Sequence, residues 1–212
     1  MTDYKKEEYW SKFAKTFNED QTYIVGGTVQ QALIDRLSGE SDLRELIEFG
    51  CGAGFFTKVL AENASHVVAT DLSDEMLAVA RTQLKDWQNV IVEKADCENP
   101  DSPDEKFDSV FMGNLIHVIE NPSIALMESY RILKDGGLLL IVDYTGYGIK
   151  RFEKMKMGIR FLKKWGKPPG YFRGNLSPDE LCSLVESAGF KVEEVQLMGG
   201  KIKALYLRGR KG

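Results

Sequence analysis

Cysteine is scarce, with 3 in 212 residues, at Cys51, Cys97 and Cys182. No pair has the spacing of a zinc-ligand set or a C-x-x-C redox site, and the number is odd, which excludes a disulfide scaffold and points to a reducing compartment. Histidine is scarcer still. His66 and His117 are the only two, so a histidine-rich metal centre is excluded, whereas a carboxylate site is not. Only 6 prolines stand beside 20 glycines, and no Pro-rich or low-complexity linker interrupts the chain. Long apolar runs are missing. The most apolar short stretch, residues 138–142, has the length of a strand and not of a membrane span. The opening MTDYKKEEYWSKF has no apolar signal core, and the closing RGRKG no lipidation box. A basic surplus is also lacking. The net charge of −4 argues against a globally basic nucleic-acid binder. The expected location is the cytoplasm.

What is present is alternation. Residues 43–50 (LRELIEFG) read as a strand entering a glycine turn, 55–63 as a short helix and 66–71 (HVVATD) as a buried strand. Ser73 caps a helix over 73–87, whose first turn carries Asp74 and Glu75 where the helix dipole favours acids. Strands over 89–96, 107–114 and 136–144, with a helix over 122–133, continue the rhythm. Such alternation predicts a doubly wound α/β domain over 1–212, with a mostly parallel sheet and helices on both faces. The tail departs from it. Ser177-Pro178-Asp179-Glu180 is a capping box with proline at the first helical position, and its helix runs to about Ala188. Gly199-Gly200 then joins two strands, so the last strand is expected to run antiparallel.

The chemistry lies at the strand ends. Gly50, Gly52 and Gly54 let backbone approach a ligand at a strand-to-helix turn. A dinucleotide fingerprint needs its third glycine where Phe55 stands, which counts against a nicotinamide-dependent oxidoreductase. Asp71 follows Gly50 by 21 residues, where a carboxylate can accept both hydroxyls of an adenosine ribose. Asp96, ending the third strand, can accept an adenine amino hydrogen. Taken singly, each aspartate is equally well a loop acid or a helix cap. Three successive strand ends with suitable groups are harder to dismiss.

The runs EFGCGAGFFT, VVATDLSDEML, EKADCENP, FDSVFMGNLIHVIENP and LKDGGLLLIVDY resemble the class I S-adenosylmethionine-dependent methyltransferases, and most of all their small-molecule branch, methyltransferase type 11. The resemblance covers Tyr9 to Tyr144 and the hairpin tail. It implies a Rossmann-like seven-stranded sheet in the order 3-2-1-4-5-7-6, with strand 7 antiparallel. It also implies S-adenosylmethionine as cofactor and S-adenosylhomocysteine as product. Gly50, Cys51, Gly52 and Gly54 would lie beside the methionine part. Asp71 would hold the ribose, Leu72 and Met76 would flank the adenine, Asp96 and Cys97 would bind its edge, and Asn114 would line the methyl end. Glu48 has two readings, as a binder of the ammonium group or as a residue that only orients the loop.

The acceptor side is less determined. His117, beyond the fourth strand, is the candidate base, with packing of its loop as the competing role. Tyr144 and Tyr9 are candidate substrate contacts, and Arg173, beside Tyr171 and Phe172, could clamp a carboxylate or phosphate. Asp143 lacks a second acid at the end of strand four, so no metal is expected. Tyr9, Trp10, Phe13 and Phe17 recur at helical spacing within residues 1–26, read as a lid or a docked helix. Residues 146–175 form a basic helical insert. From Lys150 to Arg173 the charge is +8, so the rest of the chain carries −12. Ile149, Phe152, Met155, Ile159 and Leu162 give this helix an apolar side, expected on the core. The basic charge otherwise suggests an anionic small-molecule acceptor, an acidic partner or contact with a membrane surface through 149–167. No interleaved RNA-binding motif is present. A non-catalytic module that binds S-adenosylmethionine or a protein partner is the remaining alternative.

Overall fold

Seven strands form one sheet in the order β3-β2-β1-β4-β5-β7-β6 in the computed structural model, which describes residues 4–212. Helices α1 (Tyr4–Ser11), α2 (Phe17–Val25) and α3 (Gly27–Ser38) precede β1 (Arg44–Phe49). Then come α4 (Thr57–Ala61), β2 (Ala64–Asp71), α5 (Asp74–Gln83), β3 (Val90–Lys94), β4 (Phe107–Gly113), α6 (Pro122–Ile132) and β5 (Leu133–Thr145). The chain continues through α7 (Arg151–Trp165), α8 (Pro178–Ser187), β6 (Lys191–Met198) and β7 (Lys203–Arg210). Strands β1 to β5 pair in parallel, while β7 runs antiparallel to both β5 and β6. Strand order reverses between β1 and β4, which opens a crevice at the carboxyl ends of the strands.

Alternating side chains feed two cores, as the period of two requires. Leu46, Val67, Phe111, Leu140 and Tyr206 pack on one face, and Ile47, Val68, Val110, Leu139 and Leu205 on the other. The local signals act where expected. Ser73 accepts from the Met76 amide at 3.2 Å, and Ser177 with Glu180 closes a reciprocal capping box.

Two expectations are corrected. The aromatic N-terminal stretch is not one helix, because residues 12–16 form tight turns between α1 and α2. The break brings Trp10, Phe13 and Phe17 onto a single indole, that of Trp165, and Phe17 stacks on it with ring centroids 5.3 Å apart. Helix α7 packs by the other of its two apolar sides. Met157, Phe161 and Trp165 face the core, while Phe152, Met155, Ile159 and Leu162 are exposed. The inner set presents the larger aromatic area, including a tryptophan that four other aromatic rings approach, and burying it removes more surface from water.

Candidate active site

At the crevice, β1 runs into the turn holding Gly50, Cys51, Gly52 and Gly54. Gly50 has φ +70°, and a Cβ there would lie 2.8 Å from the Leu115 side chain. Gly54 has φ +80° and packs against Leu84, away from the cavity. Its part is therefore to shape the turn. Asp71, at the end of β2, holds the turn directly: Gly52 N–H donates to Oδ2 and Ser73 N–H to Oδ1, both at 2.9 Å. Leu72, Met76, Asp96, Cys97 and Asn114 join Glu48 and the turn in lining one cavity of about 410 Å3. Asn114 has φ +57°, a conformation asparagine tolerates, and its side-chain oxygen accepts from Tyr144 N–H at 3.2 Å.

The electrostatics favour a cationic ligand. Four carboxyl groups, those of Glu48, Asp71, Asp96 and Glu98, line the cavity, and no lysine or arginine does so among the described residues. A diphosphate would meet the like charge of Asp71, Asp96 and Glu98 there, whereas a sulfonium bearing an ammonium group would be attracted. With the glycine turn and the acceptor oxygens of Asp71, this set fits S-adenosylmethionine and fits a nicotinamide dinucleotide poorly. Glu48 is fully buried and accepts from Thr57 Oγ1 at 2.6 Å. Burial pushes its carboxyl up to about 8, against the lowering effect of the Thr57 bond. Burial also holds the Cys51 thiol well above its ordinary value, aided by Glu48 and Asp71, so Cys51 packs and does not act as a nucleophile.

The other part of the cavity is aromatic. Trp10 from α1, Phe17 from α2, Phe161 and Trp165 from α7, and Phe172 beyond it line the wall. Among the described residues, the indole N–H groups of Trp10 and Trp165 are buried without a protein partner, as is the side-chain oxygen of Asn18. His117 lines the same cavity, edge-on to Phe172 at 5.1 Å. Its Nδ1 pairs with Asp143 Oδ1, and its backbone N–H donates to Asp143 Oδ2 at 3.1 Å. Asp143 thus serves His117, and Nε2 is left as the ring's acceptor. Tyr144 also lines the cavity, its phenol raised by burial.

The remaining candidates lie outside this lining. Tyr9 donates its hydroxyl to Trp165 O at 2.9 Å, bracing the aromatic wall from behind. Burial raises its phenol to about 12. Arg173 donates to the carbonyls of Ile119 and Glu120 at 2.7 and 3.1 Å, so its guanidinium ties down the loop after His117. Sequence reasoning did not single out Asn18, Phe161 or Trp165. The four-residue spacing of Met157, Phe161 and Trp165 was the available signal. Among the described residues no cluster of His, Cys, Asp and Glu is arranged to hold a metal.

Residues 47–141 match a family model described as a methyltransferase domain. The chain is 27% identical over 147 residues to the demethylmenaquinone methyltransferase of Tropheryma whipplei, a match covering 65% of this chain and 61% of that relative. It is 26% identical over 239 residues to the ubiquinone/menaquinone biosynthesis C-methyltransferase UbiE of Vibrio parahaemolyticus, covering 100% of this chain and 92% of the relative. The crystal structure of a SAM-dependent methyltransferase from Aquifex aeolicus shares the fold, with a TM-score of 0.71 at 21% identity, over 95% of this chain and 98% of that one. In sheet order, glycine turn, strand-end acids and these matches, the chain is similar to the class I S-adenosylmethionine-dependent methyltransferases.

Proposed function

We propose that the protein transfers a methyl group from S-adenosylmethionine to a small, largely apolar, oxygen-bearing aromatic acceptor, with His117 as proton acceptor and Asp143 as its positioning partner. One observation carries the reading. A single cavity joins the acidic glycine cradle to an aromatic wall that contains the buried His117–Asp143 pair. The names of the relatives supply the direction within that class, toward a quinol-type ring. Among the described residues the lining holds no lysine or arginine, which favours a neutral acceptor over the anionic one suggested by the basic segment. The partnerless N–H groups of Trp10 and Trp165 are suited to ring oxygens.

When bound, S-adenosylmethionine supplies a methyl group on a positively charged sulfur. The chain's own contribution is alignment, exclusion of water and proton removal. Asp71 and the glycine turn fix the nucleoside side, and the aromatic wall orients the acceptor ring. Holding the two in line is worth up to roughly 7–11 kcal/mol of barrier. His117 Nε2 takes the proton from a ring hydroxyl or ring carbon while Asp143 holds the imidazole, a contribution of about 10²–10⁴-fold.

Calorimetric titration with S-adenosylhomocysteine, with NAD as control, tests the cofactor half. Selective S-adenosylhomocysteine binding is expected, and selective NAD binding would overturn it. Incubation with S-adenosylmethionine and a panel of hydroquinones, catechols and charged small molecules tests the acceptor half. S-adenosylhomocysteine should accumulate with the neutral aromatic members. Binding of S-adenosylhomocysteine without turnover of any panel member would favour a non-catalytic module.

A further inference from the structure

Helix α7 presents a second apolar row that nothing in the described chain covers. Phe152, Met155, Ile159 and Leu162 are 59%, 54%, 58% and 56% exposed, on the side opposite Met157, Phe161 and Trp165. Their three- and four-residue spacing makes one continuous stripe along a helix about 22 Å long. Arg151 borders the stripe on one side, and Lys156 and Lys163 on the other. Among the described residues Arg151 and Lys163 have no ion-pair partner. A lone exposed leucine is ordinary on a protein surface, but four large apolar side chains in a row, edged by cations, are not.

We propose that α7 docks the protein on an anionic lipid bilayer, with the Phe152–Met155–Ile159–Leu162 row inserted at the headgroup boundary and the flanking cations on the phosphates. Charge complementarity selects this occupant. The segment from Lys150 to Arg173 carries +8 on a body of −12, so an anionic surface attracts one face and repels the rest. A second copy of the chain would set Arg151, Lys156 and Lys163 against their own counterparts. Long basic side chains can lay their stems along the apolar row while their heads stay in water. No described helix is long and apolar enough to cross a membrane, so the geometry is that of a helix lying in the interface plane. Leu162 belongs both to the exposed row and to the cavity lining, which sets the cavity rim beside the docked surface. The docking itself does not depend on the chemistry inside the cavity.

Flotation of the full chain with vesicles tests the proposal. The protein should float with phosphatidylcholine vesicles containing about one-quarter phosphatidylglycerol and stay behind with pure phosphatidylcholine, and raising salt from about 0.1 M to about 0.5 M should release it. The double variant Phe152→Asp/Ile159→Asp should lower the bound fraction about tenfold or more, with S-adenosylhomocysteine affinity and melting temperature unchanged as controls for the fold. The variant Arg151→Glu/Lys163→Glu keeps the apolar row and should lose the preference for anionic vesicles. No flotation, or equal flotation with both vesicle types, would overturn the proposal. So would a concentration-dependent dimer in vesicle-free solution that Phe152→Asp/Ile159→Asp abolishes, because a second copy would then be what covers the row.

Discussion

Glu48 holds a proton in the folded protein up to a pH of about 8, whereas in the unfolded chain it ionises near 4.5. The folded state therefore binds the extra proton in that window. Its contribution to stability is complete below 4.5 and drains away as pH rises toward 8. Denaturant unfolding at both ends of the window should show this loss, and Glu48→Gln should reduce it. A cation entering the cavity favours the carboxylate, so binding of S-adenosylmethionine, a sulfonium, at neutral pH should release up to about one proton. Titration in two buffers of different ionisation enthalpy measures that release, and none is expected from Glu48→Gln. Asp71→Ala should weaken S-adenosylhomocysteine binding by about 1.5–3 kcal/mol, because acceptors for charge-assisted bonds are lost. An unchanged affinity would remove Asp71 from the ribose site. His117→Asn should lower turnover by about 10²–10⁴-fold with S-adenosylhomocysteine affinity retained, and Asp143→Asn should follow it in the same assay. Equal losses of binding and turnover would mean that the pair only holds the loop.

Among the elements, those carrying local signals were legible in the sequence. The β-branched run of β2, the Ser73 cap and the Ser177–Glu180 box each act within a few residues of themselves, and the structure uses each as read. The Asp71 side was legible because its position at a strand end is set by chain periodicity alone. The pairing of His117 with Asp143 was not, since 26 residues and a parallel crossover separate them. Nor was the fate of Arg173, because nothing local tells a guanidinium to choose backbone carbonyls over a ligand. Helix α7 was ambiguous for a different reason: it has two apolar sides, and only tertiary packing decides which is buried. Trp165 settles that choice, so Trp165→Ala should cost about 3–5 kcal/mol of stability, read by thermal unfolding. The same variant should speed amide exchange over α1 and α2, whose aromatic residues converge on that indole.

The molecule as a whole has an ionic anchor whose charged residues do not line the cavity. Glu40 is buried and accepts from Tyr206 at 2.6 Å, from Arg36 at 2.5 Å and from Arg208, joining the end of α3 to β7. Arg36 and Arg208 also reach Glu194 and Glu193 on β6. Glu40→Gln should therefore destabilise by about 3 kcal/mol, the low end for a broken buried pair, because both arginines keep another partner. Chemical denaturation should show this loss, and calorimetry should show S-adenosylhomocysteine affinity untouched. The position of β7 also has a consequence in time. Residues 203–210 fill a gap between two strands that leave the ribosome before them. Until they arrive, the apolar edge of β5 is an open template for any passing strand, in the nascent chain and in every prematurely stopped one. A nonsense mutation before residue 203 should therefore give aggregates, although every residue of the glycine turn and of the His117–Asp143 pair has already been made.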